Sequence, residues 1–243
     1  MSYGYPYDDT LISKGGDLIF PILQVISGEQ AELQISLPEE LAIFAHAVNN
    51  GDFADRRDIT VRLTADIDLT GFCWVPIGFG EVAFAGVFDG CGHTVRGMAL
   101  QKDGPGNYGL FGAVSGTVQN LTVAGEIRNL TGDPHSAVGG IAGELSGGVV
   151  KNCAVRVTVD CRGEPFGFFA GGVVGLAEKH SLLENCRSSV RIENVQDNYW
   201  YLGGVAGALL DSRMEDCSFD GTPTALAAGF ALGAASYHWK EVD

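Results

Sequence analysis

Basic residues are scarce in this chain. Fifteen Lys+Arg stand against 30 Asp+Glu, giving a formal net charge of −15 and a pI near 4.6. A phosphate backbone would be repelled, which excludes nucleic acid as a partner class. Long apolar runs are missing too: the longest stretches of apolar residues and glycine are Phe166 to Ala177, Tyr199 to Leu210 and Ala225 to Ala235. All fall short of the roughly 18 residues a membrane-spanning helix needs. Proline is held to 8 residues and no collagen triplet appears. The 6 Cys (Cys73, Cys91, Cys153, Cys161, Cys186, Cys217) contain no CxxC pair and are too few for a disulfide framework. Neither an EF-hand loop nor the calcium-binding GGxGxDxUx nonapeptide occurs, so the sequence names no cofactor and no metal site.

What is present is a chain of 243 residues, 46% apolar with mean hydropathy +0.13, enough to bury a core and to exclude intrinsic disorder. Its N-terminus has no early Lys or Arg, and its first apolar run, Leu18 to Leu23, is broken by Pro21. That is not a secretory signal peptide. Two origins fit: retention in the cytoplasm, or excision from a longer exported protein.

Glycine is in excess, 35 residues or about 14%, roughly twice the usual share. The excess is periodic. Gly109-Leu-Phe-Gly112, Gly140-Ile-Ala-Gly143, Gly172-Val-Val-Gly175 and Gly204-Val-Ala-Gly207 start 31, 32 and 32 residues apart. Each precedes a strand-like run: Thr117 to Val123, Val149 to Val155, Leu182 to Ser188 and Arg213 to Phe219. Further β-branched, alternating runs close most units, as at Arg156-Val-Thr-Val-Asp160. Units that break every five or six residues cannot be helical repeats, and a period near 32 predicts a β-solenoid, one unit per coil. Loops are expected at Thr131 to Ser136, Arg162 to Pro165 and Gln196 to Tyr201. The aligned glycines are expected at tight corners, where a Cβ would strain the backbone or foul the next coil.

Stacking the units aligns Asn120, Asn152, Asn185 and Asp216 into an expected inward or corner ladder of coil-to-coil hydrogen bonds. Leu121, Cys153, Cys186 and Cys217 follow directly behind. A column in which leucine replaces the thiol, with no histidine beside it, reads as small buried packing rather than a metal or redox site.

Upstream, Ser36-Leu-Pro-Glu39 reads as a helix start, with Ser36 as cap, Pro38 in the first turn and Glu39 reaching back. Leu41, Phe44, Ala45 and Val48 then share one face, and Asn50-Gly51 stops the helix. The alternating Ile59, Val61, Leu63 begins the strands, so the helix is expected to plug the open end of the solenoid. The boundaries that follow are an N-terminal arm or extra strand over 1–35, capping helix and turn over 36–57, repeat domain over 58–236 and a tail over 237–243. An apolar final stretch, with Phe230, Leu232, Tyr237 and Trp239, points to self-assembly through the solenoid ends.

The sequence resembles the GLUG-repeat family of bacterial surface proteins. The repeat's Gly-Leu-x-Gly signature stands here as Gly109-Leu-Phe-Gly112, and the family's usual entry as Glu39-Glu-Leu-Ala-Ile-Phe44, Leu63-Thr-Ala-Asp-Ile-Asp-Leu69, Trp74-Val-Pro-Ile-Gly78 and Phe84 to Val95. Related repeats occur beside the catalytic region of IgA-specific metallopeptidases and in adhesin-like proteins. The resemblance covers roughly 36–220 and implies a right-handed parallel β-helix serving as stalk or binding surface, located at the bacterial surface or outside the cell. It implies no enzyme activity, and neither an LPxTG tail nor an HExxH motif is present.

The expectation is therefore an all-β protein, a right-handed parallel β-helix with an N-terminal capping helix, acting as a non-enzymatic module that presents loops to a protein or glycan. Tyr199, Trp200 and Tyr201, expected in a protruding loop, are the candidate binding residues because stacked aromatics hold a sugar ring or an apolar side chain. The alternative is a polysaccharide lyase or glycosidase using Asp66, Asp68, Asp89 and His93. Against it, Asp89-Gly90 is ordinary turn chemistry, and a DxD at a strand end binds its own backbone or solvent.

Overall fold

A computed structural model describes residues 31–53, 56–102, 106–129, 136–161, 168–193 and 200–220. The entry comprises β1 (Glu32–Ile35), α1 (Pro38–Asn49), β2 (Thr60–Leu63), β3 (Ile67–Asp68), β4 (Val87–Asp89) and β5 (Thr94–Lys102). The first full coil is β6 (Asn107–Tyr108), β7 (Phe111–Val114), β8 (Thr117–Gln119) and β9 (Thr122–Asn129). The next is β10 (Ala137–Val138), β11 (Ala142–Ser146), β12 (Val149–Lys151) and β13 (Ala154–Cys161). Then come β14 (Phe168–Gly171), β15 (Val174–Glu178), β16 (Leu182–Glu184), β17 (Arg187–Ser188) and β18 (Arg191–Glu193). The last described coil is β19 (Trp200–Gly203), β20 (Ala206–Leu209), β21 (Arg213–Glu215) and β22 (Ser218–Phe219).

These strands form four sheets whose pairings are all parallel, stacked as a β-solenoid of about 5 turns. Sheet I runs β1-β2-β4-β8-β12-β16-β21 and sheet II runs β3-β5-β9-β13-β17-β22, with β18 also on β13. Sheet III is β6-β10-β14-β19 and sheet IV is β7-β11-β15-β20. Each coil thus passes from III to IV to I to II. The expected solenoid is what the chain builds, with one short helix among the described residues, at its start.

Alternation sets the core. In sheet I, Val61, Phe88, Val118, Val150 and Leu183 share one register line and are all fully buried. In sheet II the inward line is Ile67, Val95, Val123, Val155, Ser188 and Phe219. The Ser188 hydroxyl is buried there without a partner among the described residues. The second residue of each glycine signature, Leu110, Ile141, Val173 or Val205, is fully buried where sheets III and IV meet.

Of the two reasons expected for the signature glycines, backbone strain does not apply, since none has a positive φ, and crowding against a neighbouring coil does. They serve close approach. A Cβ on Gly143 would stand 2.5 Å from the Tyr108 nitrogen and 2.6 Å from the Ala137 oxygen, so the second glycine lets sheet IV fold against the backbone of sheet III. A Cβ on Gly172 would strike Ser188 across the thin core. Left-handed backbone recurs at the aligned positions Asn120, Asn152, Asn185 and Asp216, with φ of 53°, 54°, 49° and 50°. Asparagine tolerates that region better than other side chains.

Helix α1 buries Leu41, Phe44, Ala45 and Val48 as its spacing predicts, together with Ala42 and Ala47. Its cap differs from the expectation. Pro38 fixes the first helical position, so the N-cap falls on Leu37, and the residue three further on is Glu40. The Glu40 carboxylate, not that of Glu39, accepts from the backbone N–H groups of Ser36 (2.6 Å) and Leu37 (3.0 Å). Phe44 packs edge-on against Phe53 and Phe84, and Phe84 leads through Phe111 to Phe88. Asn49 completes the docking: its Nδ2 donates to the Pro76 carbonyl, and its Oδ1 accepts from Gly78 and Phe79. Residues 32–35, inside the segment expected to be an arm or an extra strand, are strand β1 at the edge of sheet I. Residues 1–30 and the tail with Phe230, Leu232, Tyr237 and Trp239 lie outside the described residues.

Candidate functional site

Four connections, 103–105, 130–135, 162–167 and 194–199, lie outside the described residues. The strands flanking them fix where each begins and ends: every one links sheet II to sheet III. The longest inserts of successive coils therefore leave from one corner. At that corner Ser136 is fully buried; its hydroxyl accepts from Gly106 and its carbonyl from Phe169.

Tyr199 lies outside the described residues. Trp200 and Tyr201, expected in a loop, instead open strand β19, where they pair in register with Phe168 and Phe169 of β14. The Tyr201 ring stacks on Phe169 with centroids 4.9 Å apart and planes 20° from parallel. Leu202 and Ala170, the next residues on each strand, are buried, so Phe169 and Tyr201 are on the outward side of sheet III, half-buried. Phe169 was missed from the sequence, although the offset of 32 that aligns the glycines also aligns it with Tyr201. The same outer surface carries a polar bridge, Asn107 donating to the Glu144 carboxylate at 2.7 Å.

Of the four alternative catalytic residues, Asp66 and His93 are brought into contact, whereas Asp68 and Asp89 are drawn into other structural contacts. Asp66 accepts from the Thr94 N–H and lies 3.2 Å from His93 Nδ1. Those two bonds hold its carboxyl below the ordinary carboxylate range. Asp68 accepts from Thr70 and pairs with Arg96. The Thr70 hydroxyl and N–H, then Arg96, bring its pKa down to about 2. Asp89 is the foot of the asparagine ladder: Asn185 donates to Asn152 (2.8 Å), Asn152 to Asn120 (3.1 Å) and Asn120 to Asp89 (3.0 Å). Burial raises the Asp89 pKa, but bonds from Asn120, the Cys91 N–H and Gln119 outweigh it and leave it lowered. The ladder is on the outer corner, half-buried to exposed, rather than inward.

Directly inside that corner, Cys153 and Cys186 are buried and Cys217 is half-buried, and all are free thiols. Each sulfur lies 3.3 Å from the carbonyl two residues earlier. The hydrogen bond with the Cys153 thiol, with burial, pushes Cys186 up to about 12, and Cys217 is raised by Cys186 in turn. Thiols held protonated make poor nucleophiles and poor ligands. Among the described residues no cluster of His, Cys, Asp or Glu is placed to hold a metal ion, and no helix is long and apolar enough to cross a membrane.

Fold and surface together define an acidic parallel β-solenoid repeat. No family model matches the chain, so the GLUG resemblance rests on the motifs quoted for it. The chain is 30% identical over 158 residues to halomucin of Haloquadratum walsbyi, covering 59% of this chain and 2% of halomucin. It is 34% identical over 105 residues to a protein called a Gly-rich membrane protein in Evansella cellulosilytica, covering 40% of this chain and 12% of that one. It spans only a small part of either relative's length. Among solved structures, a protein titled as an immunoglobulin A1 protease from Bacteroides ovatus aligns over 83% of this chain and 82% of its own, at 15% identity and a TM-score of 0.40.

Proposed function

We propose that this protein is a non-enzymatic, surface-associated module that presents loops on a β-solenoid to a protein or glycan partner. The observation that carries the reading is topological: the inserts of successive coils all leave from the corner between sheets II and III, beside the outward Phe169–Tyr201 stack. Connections of differing sequence that leave a rigid stack at one corner, next to a flat aromatic surface, are suited to recognition. The similarity to halomucin and to a Gly-rich membrane protein supports a place at the cell surface.

The carboxylates favour this reading over a glycosidase. Inverting and retaining glycosidases need one carboxyl whose pKa is raised, so that it can donate a proton near neutral pH. Asp66, Asp68 and Asp89 are all lowered and committed to backbone or side-chain partners. The test is a panel of immobilised bacterial and host glycans and surface proteins, scored for retention and for new reducing ends or unsaturated products. Retention without turnover, weakened by Phe169→Ala with Tyr201→Ala in a chain that still folds, is expected. Turnover abolished by Asp66→Asn or Asp89→Asn in a folded protein would establish the enzyme instead.

A further inference from the structure

The outer face of sheet I is complementary to itself. Two outward columns run up this sheet, one from Glu32 to Arg213 and one from Gln34 to Glu215. The middle strand of the seven is β8, so an axis along β8 turns the sheet end for end and leaves each column opposite itself.

We infer that two copies of this chain associate face to face through sheet I, antiparallel, about a twofold axis along β8. Counting outward from Gln119 in one column, Asp89 comes opposite Lys151, Arg62 opposite Glu184 and Gln34 opposite Glu215. In the other column, counted from Thr117, Val87 comes opposite Val149 and Glu32 opposite Arg213. Every charge-to-charge match joins opposite signs, and symmetry makes each match twice. The alternative axis, along the solenoid, sets one column against the other at the same level; it brings Val87 to Asp89 and Val149 to Lys151, and its one charge match is Arg213 with Glu215, against three on the β8 axis. Charge therefore selects the antiparallel arrangement.

Two charges on the face gain ion-pair partners they lack among the described residues. Lys151 and Glu184 are register neighbours, yet neither makes an ion pair among the described residues. Arg62 and Arg213 already bridge to Glu32 and Glu215, which would extend into networks across the axis. Stacked sheets lie about 10 Å apart, within reach of a long basic side chain meeting an acid. Seven strands at about 4.8 Å give a face roughly 29 Å long and only two columns wide, below the ~800 Å² per partner of a standard interface. The dimer is accordingly weak, in the micromolar range or above. This surface is separate from the loop corner, and the inference does not rest on the proposed recognition function.

Sedimentation equilibrium of the full chain at fixed ionic strength tests it with Arg62→Glu, Glu184→Arg and the two combined. Each single change sets like charges opposite one another and is expected to weaken association by about tenfold or more, whereas the double change restores opposite signs and the dimer. The singles move the net charge of −15 in opposite directions. If general repulsion governed association, Glu184→Arg would strengthen it while Arg62→Glu weakened it, and that divergence would overturn the inference. So would a wild-type chain monomeric up to about 1 mM, or a dimer indifferent to all three changes; melting curves confirm that each variant folds.

Discussion

Asn152 holds a left-handed backbone and two ladder bonds at one corner, and substitution separates the two contributions. Asn152→Ala loses both and is expected to cost about 2 kcal/mol; Asn152→Gly keeps the backbone freedom and should cost about 1 kcal/mol, read from thermal or urea melts. Asp68 makes a pH prediction. Its folded pKa is depressed from 3.8 to about 2, so the stability it contributes is fully present above the unfolded value and is lost as pH falls through the folded one. Asp68→Asn is therefore expected to lower the Tm at pH 6, with the gap to wild type closing between about pH 4 and pH 2. A gap that persists below pH 2 would assign the effect to packing rather than charge. The ladder was legible at this scale because asparagine repeats at the coil period. Its foot was not, since Asp89 aligns in register with Gln119, one residue before the asparagine, and joins by reaching diagonally.

Helix α1 shows what pattern reading captures within one element and what it misses. Its apolar face was legible from spacing alone, because burial of one stripe is what makes a helix of 12 residues stable. The docking residue was not legible. Asn49 sits at the helix end, where asparagine reads as a stop signal, yet its amide satisfies three backbone groups at 76–79. Asn49→Ala strands those groups in a half-buried site and is expected to cost about 2–3 kcal/mol. Asn49→Asp keeps the acceptor for Gly78 and Phe79 and should cost less, a ranking that urea titration would check. Strand β19 failed for a related reason. Aromatic residues after Asn198 read as loop, while pairing with β14, a contact 32 residues distant, makes Trp200 and Tyr201 the start of a strand.

Across the whole molecule, stability is carried from coil to coil, since each strand pairs with its equivalent in the coil before and the coil after. In such a stack a lesion is felt mainly by the coils that depend on the broken interface. The second glycines provide matched lesions. A Cβ on Gly143 meets the backbone of β6 and β10, in the middle of the stack, whereas one on Gly207 meets β14, β15 and β19 near its end. Backbone cannot yield as a flexible side chain does, so both alanine variants should be destabilised, but differently. Hydrogen exchange read by mass spectrometry is expected to show Gly207→Ala exposing only β19 to β22, with β7 to β13 as protected as in wild type. Gly143→Ala should weaken protection on both sides of the break, with α1 and the aromatic layer through Phe44, Phe84 and Phe111 the last to exchange. If both variants instead lost protection uniformly from β1 to β22, the solenoid would be a single cooperative unit. The capping helix would then stabilise the most distant coil as much as the one it touches.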